Sequence, residues 1–229
     1  MYQLCDYYEE LNPRAHEMYC RGEIWLCCVP YTVGDTKINR FYGEKEIGKG
    51  RITSIDVNKV DLISEGDDPY SHTVAGEFVA LCKYKVRPVV ILSTRHDTDY
   101  NPWHSEDYYL IAPIYSLRKQ ESGEYKYKVD FIWKIARYCY PQLFYLPAEK
   151  SFNCYEAVIR FDRMVSIHKS WLRQPRPFQL TEQIMIYLNE WLRLSIYGKI
   201  DTDISNTLEE YRKYIGEMPQ YRSIFFGNA

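Results

Sequence analysis

The sequence has no run of about 18 uncharged apolar residues, the length that a membrane-crossing helix needs. It has no basic and apolar leader at its start, and no pair among its 7 cysteines has the CxxC spacing. We therefore expect a reduced, cytoplasmic protein that does not bind a membrane. The net charge of −2 excludes an overall basic field, so binding of nucleic acid would require a local basic groove.

Tyrosine is the residue type in excess, with 23 copies in a chain that is 16% aromatic. Tyrosine rings can stack on nucleic-acid bases, but they more commonly fill cores and interfaces with the hydroxyl group at the surface. The hydrophobic fraction of 46% is ordinary for a protein with a substantial core. The length of 229 residues suits one large domain.

Strand patterns dominate the chain before its last quarter. The segment from Arg21 to Pro30 predicts a first strand, and alternation indicates another strand from Tyr125 to Ile132. Pro88 is expected to open a strand, while Pro113 indicates an edge or a bulge within one.

Helical periodicity replaces the strand patterns near the end of the chain. Thr181 is a suitable N-cap, apolar residues follow at helical spacing, and Gly198 stops the pattern. A second, shorter helix is predicted after it. Strands first and helices last predict an α+β fold, mainly β, in which a small barrel or half-barrel is capped by helices.

Arg160 and Asp162 stand two residues apart in the apolar segment "AVIRFDRMV", which we predict to be one strand. Side chains alternate along a strand, so both would point to the same face. A guanidinium group fits phosphate oxygens and a carboxylate can act as a base, so this pair could carry out chemistry on a phosphodiester. The alternative is an exposed ion pair that contributes little to stability.

Four segments, in this order, resemble the MazF/PemK/Kid family of toxin endoribonucleases: "RGEIWL", "VRPVVILS", "YLIAPIYSL" and "AVIRFDRMVSIHKSWL". The resemblance implies an SH3-like small barrel, a homodimer, an antitoxin protein as partner, and cleavage of single-stranded RNA without a metal or another cofactor. On this basis we predict a single domain over residues 1–229. It would have an N-terminal arm at 1–20, an insertion at about 32–84 and C-terminal helices at about 181–216.

The same resemblance implies roles for individual residues. Arg160 and Asp162 match an Arg-x-Asp pair that is catalytic in some members, and Arg87 matches an arginine that is catalytic in others. Glu23 and Ser116 match positions that contact RNA in some members. Apart from the resemblance, Tyr115 could stack a base, and Arg118 and Lys119, just beyond Ser116, could line a local basic groove that follows the phosphates. The predicted RNA contacts are Glu23, Tyr115, Ser116, Arg118 and Lys119. The default expectations for these are exposure for Glu23, barrel packing for Tyr115 and backbone capping for Ser116.

The sequence departs from the family pattern at several places. Tyr115 stands where a threonine is usual, Val165 stands where an arginine is common, and the insertion replaces a short loop. These departures favour an alternative, a non-catalytic protein-binding module on the same barrel, like the gyrase-poisoning toxins. A third possibility is a metal hydrolase that uses the loop from His96 to Asp107, but the spacing of its ligands follows neither a helix nor a strand.

Overall fold

The computed structural model describes residues 6–11, 19–31, 37–43, 50–56, 80–81, 83–93, 108–119 and 121–217. The chain divides into two compact units. The first consists of Met1–Cys28 together with Val86–Ala229, and the second is Val29–Lys85. The predicted insertion, about residues 32–84, lies within the second unit.

Strands precede the two long helices along the chain. The strands are β1 (Tyr8–Glu10), β2 (Glu23–Tyr31), β3 (Lys37–Gly43), β4 (Gly50–Asp56), β5 (Ala80–Leu81), β6 (Lys83–Ile91), β7 (Tyr108–Ser116), β8 (Leu143–Leu146), β9 (Ala157–Arg160), β10 (Val165–His168) and β11 (Leu172–Leu180). The helices are α1 (Val129–Ala136), α2 (Glu182–Tyr197) and α3 (Thr202–Glu217), and short 3₁₀ turns span Phe161–Arg163 and Lys169–Trp171. None of the helices in the ranges given above is both long and apolar enough to cross a membrane.

An antiparallel sheet forms the main layer of the protein, in the strand order β1-β11-β2-β6-β7-β9-β8, with β10 paired to β7. A separate sheet has the order β4-β3-β5. The expected α+β fold, mainly β with C-terminal helices, is confirmed. Among the described strands the larger sheet does not close on itself, so the SH3-like barrel stays a prediction.

Helix α2 packs on the sheet through one apolar face and begins and ends where the sequence predicts. The Thr181 side chain accepts a hydrogen bond from the Ile184 amide at 3.3 Å, and Gly198 ends the helix with a φ of 67°. The buried Trp191 donates from its indole nitrogen to the Leu143 carbonyl on β8 at 3.0 Å. This bond fixes the helix against the sheet.

Two predicted elements are wrong. The strand expected from Tyr125 to Ile132 does not form: its second half belongs to helix α1, in which Ile132, Ile135 and Ala136 are buried at helical spacing. Pro88 lies inside β6 rather than at the opening of a strand. The N-terminal arm contributes β1, which pairs with β11.

Pro113 lies inside β7, which is between β6 and β9 in the sheet, so the expected edge is wrong and the expected bulge stays a prediction. Strand β7 pairs with β10 at Ile111 and Val165, and with β9 at Ile114 and Ile159. Strand β7 thus changes partner between Ile111 and Ile114, and the 3₁₀ turn lies between the two partner strands. The prediction of one continuous strand through "AVIRFDRMV" is therefore wrong. Arg160 ends β9, and Asp162 lies in the turn.

Candidate functional site

The turn after β9 brings Asp162 back onto Arg160. The Arg160 Nε donates to Asp162 Oδ1 at 2.8 Å, and its Nη2 donates to Oδ2, so the pair is bidentate. The two side chains keep 30% and 34% of their surface exposed. Strand alternation does not produce this arrangement, but the turn delivers the same result: a cation and a carboxylate at one place on the surface.

Arg160 and Asp162 each hold the other in its charged form. The hydrogen bonds from Arg160 lower the pKa of Asp162, the charges of Arg160 and Arg163 lower it further, and partial burial opposes them. The Arg163 Nε lies 3.9 Å from Asp162 Oδ2. The same hydrogen bonds raise the pKa of Arg160. Asp162 is therefore an unprotonated carboxylate at neutral pH.

Tyr115 lies between two guanidinium groups. The Cζ of Arg87 is 4.3 Å from the centre of its ring, and the Cζ of Arg160 is 5.6 Å from it. The sheet explains this arrangement. Val89 on β6 pairs with Pro113 on β7, and Arg87 and Tyr115 each lie two residues further along these strands. Strand β9, which ends at Arg160, pairs with β7 on its other side. Both distances are within the range of a cation–π interaction.

The three residues predicted to be catalytic thus gather around one tyrosine. We call this arrangement the guanidinium cluster, and it consists of Arg87, Tyr115, Arg160, Asp162 and Arg163. It holds three guanidinium groups and one carboxylate, so its local charge is positive although the net charge of the chain is −2. Within the described part of the chain, Arg87 has no carboxylate partner, which leaves its hydrogen-bond donors available to an anion.

Sequence reasoning missed two residues, Arg163 in the guanidinium cluster and Tyr127 beside it. The sequence pattern places Arg163 only within a predicted strand, and Tyr127 only within an alternation of lysine and tyrosine. Tyr127 is 45% exposed, and its hydroxyl is close enough to contribute to the raised pKa of Arg160. Its ring packs edge-on against Phe131 of α1, 5.8 Å between centres. The signal that was available is the spacing of tyrosines beside lysines in "EYKYKV".

The expected exposure of Glu23 is wrong. Its side chain is fully buried, and its Oε2 accepts a hydrogen bond from the Trp25 indole nitrogen at 2.7 Å. Strand β2 lies between β11 and β6, so it is not an edge strand, and the indole donor makes burial of the carboxylate tolerable. A contact between Glu23 and RNA stays a prediction, and a buried side chain does not favour it.

The remaining predicted RNA contacts are held in a separate network. Ser116 donates to the Arg118 carbonyl at 2.7 Å and accepts from the Arg118 amide at 3.2 Å, which is the expected backbone capping. The Arg118 guanidinium donates to the buried Glu156 at 3.0 Å and to the Tyr125 hydroxyl at 2.7 Å. Lys119 pairs with Glu124 at 3.1 Å. The roles of Ser116, Arg118 and Lys119 in RNA binding stay predictions.

The loop from His96 to Asp107 proposed for a metal lies outside the described residues. Within the residues that are described, no group of three or more histidine, cysteine, aspartate or glutamate side chains is placed to hold a metal ion. His168 Nδ1 accepts a hydrogen bond from the Ser170 amide at 3.2 Å and so caps a 3₁₀ turn.

Comparison of the chain with protein-family models gives no match, and comparison with curated proteins gives none either. The resemblance to the toxin endoribonucleases therefore rests on the four sequence segments.

Proposed function

We propose that the protein is a toxin-like, metal-independent endoribonuclease that cleaves single-stranded RNA. One observation carries the proposal: Arg87 and Arg160, which come from different strands, lie on the same tyrosine ring, and Asp162 is bound to one of them. Two cations, a carboxylate and an aromatic ring at a partly exposed site are the groups that bind and cleave a phosphodiester.

RNA carries its own nucleophile, the 2′-hydroxyl group. In the proposed reaction Asp162 accepts the proton of this hydroxyl, whose oxygen attacks the adjacent phosphorus. The P–O5′ bond breaks, which leaves a 2′,3′-cyclic phosphate on one product and, after proton uptake, a 5′-hydroxyl on the other. Arg87 and Arg160 stabilise the negative charge that builds on the phosphate oxygens.

Binding of the RNA phosphate to Arg160 can release Asp162 to act as the base. In the absence of RNA both oxygens of Asp162 are engaged by Arg160, so the carboxylate is a weak proton acceptor. A phosphate is a competing bidentate partner for the Arg160 fork. When phosphate replaces the carboxylate on that fork, at least one Asp162 oxygen is released to face the 2′-hydroxyl.

The proposal extends to partners and location. A toxin of this kind is a cytoplasmic homodimer that an antitoxin protein keeps inactive. The cationic and aromatic surface around Tyr115 and Tyr127 would be the RNA groove, and blocking it with an acidic segment of the antitoxin would stop cleavage.

The test is incubation of a long mixed-sequence RNA with purified protein in excess chelator. We expect cleavage by the wild type and a loss of at least about 100-fold in rate for Arg160→Ala and Asp162→Ala. Arg193→Ala is the matched control, since Arg193 also pairs with a carboxylate, at 3.5 Å, but lies on α2. RNA left intact by the wild type, or equal cleavage by Arg160→Ala, would overturn the proposal.

The second candidate is a non-catalytic protein-binding module. The bidentate hold of Arg160 on Asp162 favours it, because the same contacts that place the pair also occupy the only carboxylate of the guanidinium cluster. On this reading the cluster binds an acidic protein surface. A pull-down that recovers a stoichiometric protein partner, lost in Arg87→Ala, with no RNA enriched, would select this function over the nuclease.

A further inference from the structure

A second candidate site lies in the first unit, in a pocket of about 230 Å³. Its described lining residues include the cations Lys126 and Arg176 and the aromatic residues Tyr8, Tyr155 and Phe178. No aspartate or glutamate is among these described lining residues. The pocket is thus cationic and aromatic.

The pocket and the guanidinium cluster are on opposite faces of β7. Ile114 and Ser116 line the pocket, whereas Tyr115 between them carries the cluster. Neighbouring residues of a strand point to opposite faces, so a ligand in the pocket does not reach Tyr115. Arg87 also borders the pocket, but its guanidinium lies over Tyr115 and is not counted among the cations of the pocket.

An irregularity in β11 delivers Arg176 to the pocket. Strand β11 pairs with β2 at Pro175 and Trp25 and again at Gln179 and Glu23, so β11 has two more residues than β2 between these pairs. Such bulges redirect side chains and are frequent beside ligand sites. The extra length contains Arg176.

Arg176 has no acidic partner among the residues that the structure describes. It is half-buried, and within the described residues it makes no ion pair with a carboxylate. Its Cζ lies 5.7 Å from the centre of the Phe178 ring. A partly desolvated guanidinium gains more from an anion than an exposed one does, because less water competes for its donors.

The aromatic side chains provide surfaces for a flat ring. Tyr8 and Phe178 pack edge to face with 5.5 Å between ring centres, and Tyr155 at the rim is 62% exposed.

We propose that this pocket binds a small organic anion with one flat ring, no larger than a mononucleotide. The anionic group pairs with Arg176, and the ring lies against Tyr8, Tyr155 and Phe178. The volume of about 230 Å³ is just below the roughly 300 Å³ at which sites for drug-sized ligands begin, so it suits a ligand of this size. This site is distinct from the proposed nuclease site, because its ligand pairs with Arg176, whereas the guanidinium of Arg87, the one residue that borders both sites, lies over Tyr115.

The test is calorimetric titration of the full chain with four probes. Uridine 5′-monophosphate and 4-hydroxybenzoate each combine a ring with an anion, and distinguish a phosphate from a carboxylate source. Uridine has the ring alone, and inorganic phosphate the anion alone. We expect at least one ring-bearing anion to bind at least tenfold more tightly than uridine and inorganic phosphate.

Variants assign the binding to the pocket. Arg176→Gln should weaken the tighter ligand at least about tenfold, whereas Arg173→Gln, an exposed position on the same strand, should not. Tyr155→Ala removes an exposed ring, and should weaken the ligand without lowering the melting temperature. The proposal is overturned if neither ring-bearing anion binds, or if inorganic phosphate or uridine binds equally well. It is also overturned if Arg176→Gln and Tyr155→Ala both leave the affinity unchanged. RNA cleavage does not enter this test, so either proposal can fail alone.

Discussion

The guanidinium carbon of Arg87 lies 4.3 Å from the centre of the Tyr115 ring. The two residues are far apart in the sequence and meet because β6 and β7 are neighbours in the sheet. Arg160 approaches the same ring from β9, at 5.6 Å. A tyrosine at this position therefore organises two cations from separate strands, and this relationship leads to the first prediction.

The ring of Tyr115, not its hydroxyl, should govern RNA affinity. We expect Tyr115→Phe to bind within about twofold of the wild type, and Tyr115→Leu to bind roughly tenfold more weakly, because cation–π contacts and stacking contribute about 1–2 kcal/mol. The measurement is fluorescence anisotropy with a 2′-O-methyl RNA, which lacks the nucleophile. Tyr197→Leu, at a residue that is 71% exposed on α2, is the control. Equal affinity of the Tyr115→Leu variant would contradict this role.

The pH dependence of cleavage should identify the base. The pKa of Asp162 is held below its ordinary value of 3.8 by the hydrogen bonds from Arg160, so its carboxylate stays unprotonated as the pH falls. We expect no loss of rate between about pH 7 and about pH 5, whereas a histidine base would be protonated near pH 6.5. Single-turnover rates across this range decide between them, and a tenfold fall on the acid side would exclude Asp162 as the base.

The lowered pKa of Asp162 also predicts how the stability of the protein depends on pH. Because the folded pKa of Asp162 is depressed, the ion pair stabilises the protein above the unfolded value of 3.8. That stabilisation is lost as the pH falls through the lower folded value. The difference in melting temperature between wild type and Asp162→Asn should therefore be constant from about pH 7 to about pH 5, and shrink below about pH 4. A difference that grows on acidification would contradict this.

Glu156 should be a stability residue. It is 5% exposed and accepts hydrogen bonds from Tyr145 at 2.7 Å and Arg118 at 3.0 Å. Glu156→Gln removes the charge that satisfies Arg118, and should lower the free energy of unfolding by about 2 kcal/mol, with a discount because Arg118 is partly exposed. Urea denaturation measures it. Glu124→Gln, in the exposed pair with Lys119, is the control and should leave the midpoint unchanged.

A side chain at Gly22 should destabilise the protein. Its φ is 90°, and an added Cβ would lie 3.3 Å from Met185 Cγ on α2. We expect Gly22→Ala to cost about 2 kcal/mol, since strain and crowding add. Gly123→Ala is the matched control, with a φ of 68° and nothing within 4 Å, and should cost about 1 kcal/mol. Equal losses of unfolding free energy would show that the contact with Met185 is unimportant.

Local signals in the sequence were sufficient to predict where helix α2 begins and ends. Thr181 and Gly198 bound α2, as the sequence predicts, because capping depends on a few neighbouring atoms. The segment before α1 misled because its Lys/Tyr alternation resembles a strand, while the buried face of the helix depends on packing against the sheet.

The geometry of the site was less accessible. The sequence could offer Arg160 and Asp162 as a pair, but the turn that joins them lies where β7 changes its partner between β9 and β10, which depends on a strand distant in the sequence. The place of Tyr115 between two arginines depends on the register of three strands, and the burial of Glu23 on the position of β2 within the sheet. Such non-local relationships have no short-range signature.

The ends of the RNA fragments test the central claim most directly. Wild type and Arg160→Ala are incubated with a defined single-stranded RNA in chelator, and the products are identified by mass spectrometry. Attack by the 2′-hydroxyl predicts fragments with 2′,3′-cyclic phosphate and 5′-hydroxyl ends from the wild type, and intact RNA with Arg160→Ala. Intact RNA with the wild type, or fragments with 3′-hydroxyl and 5′-phosphate ends, would contradict the proposed chemistry.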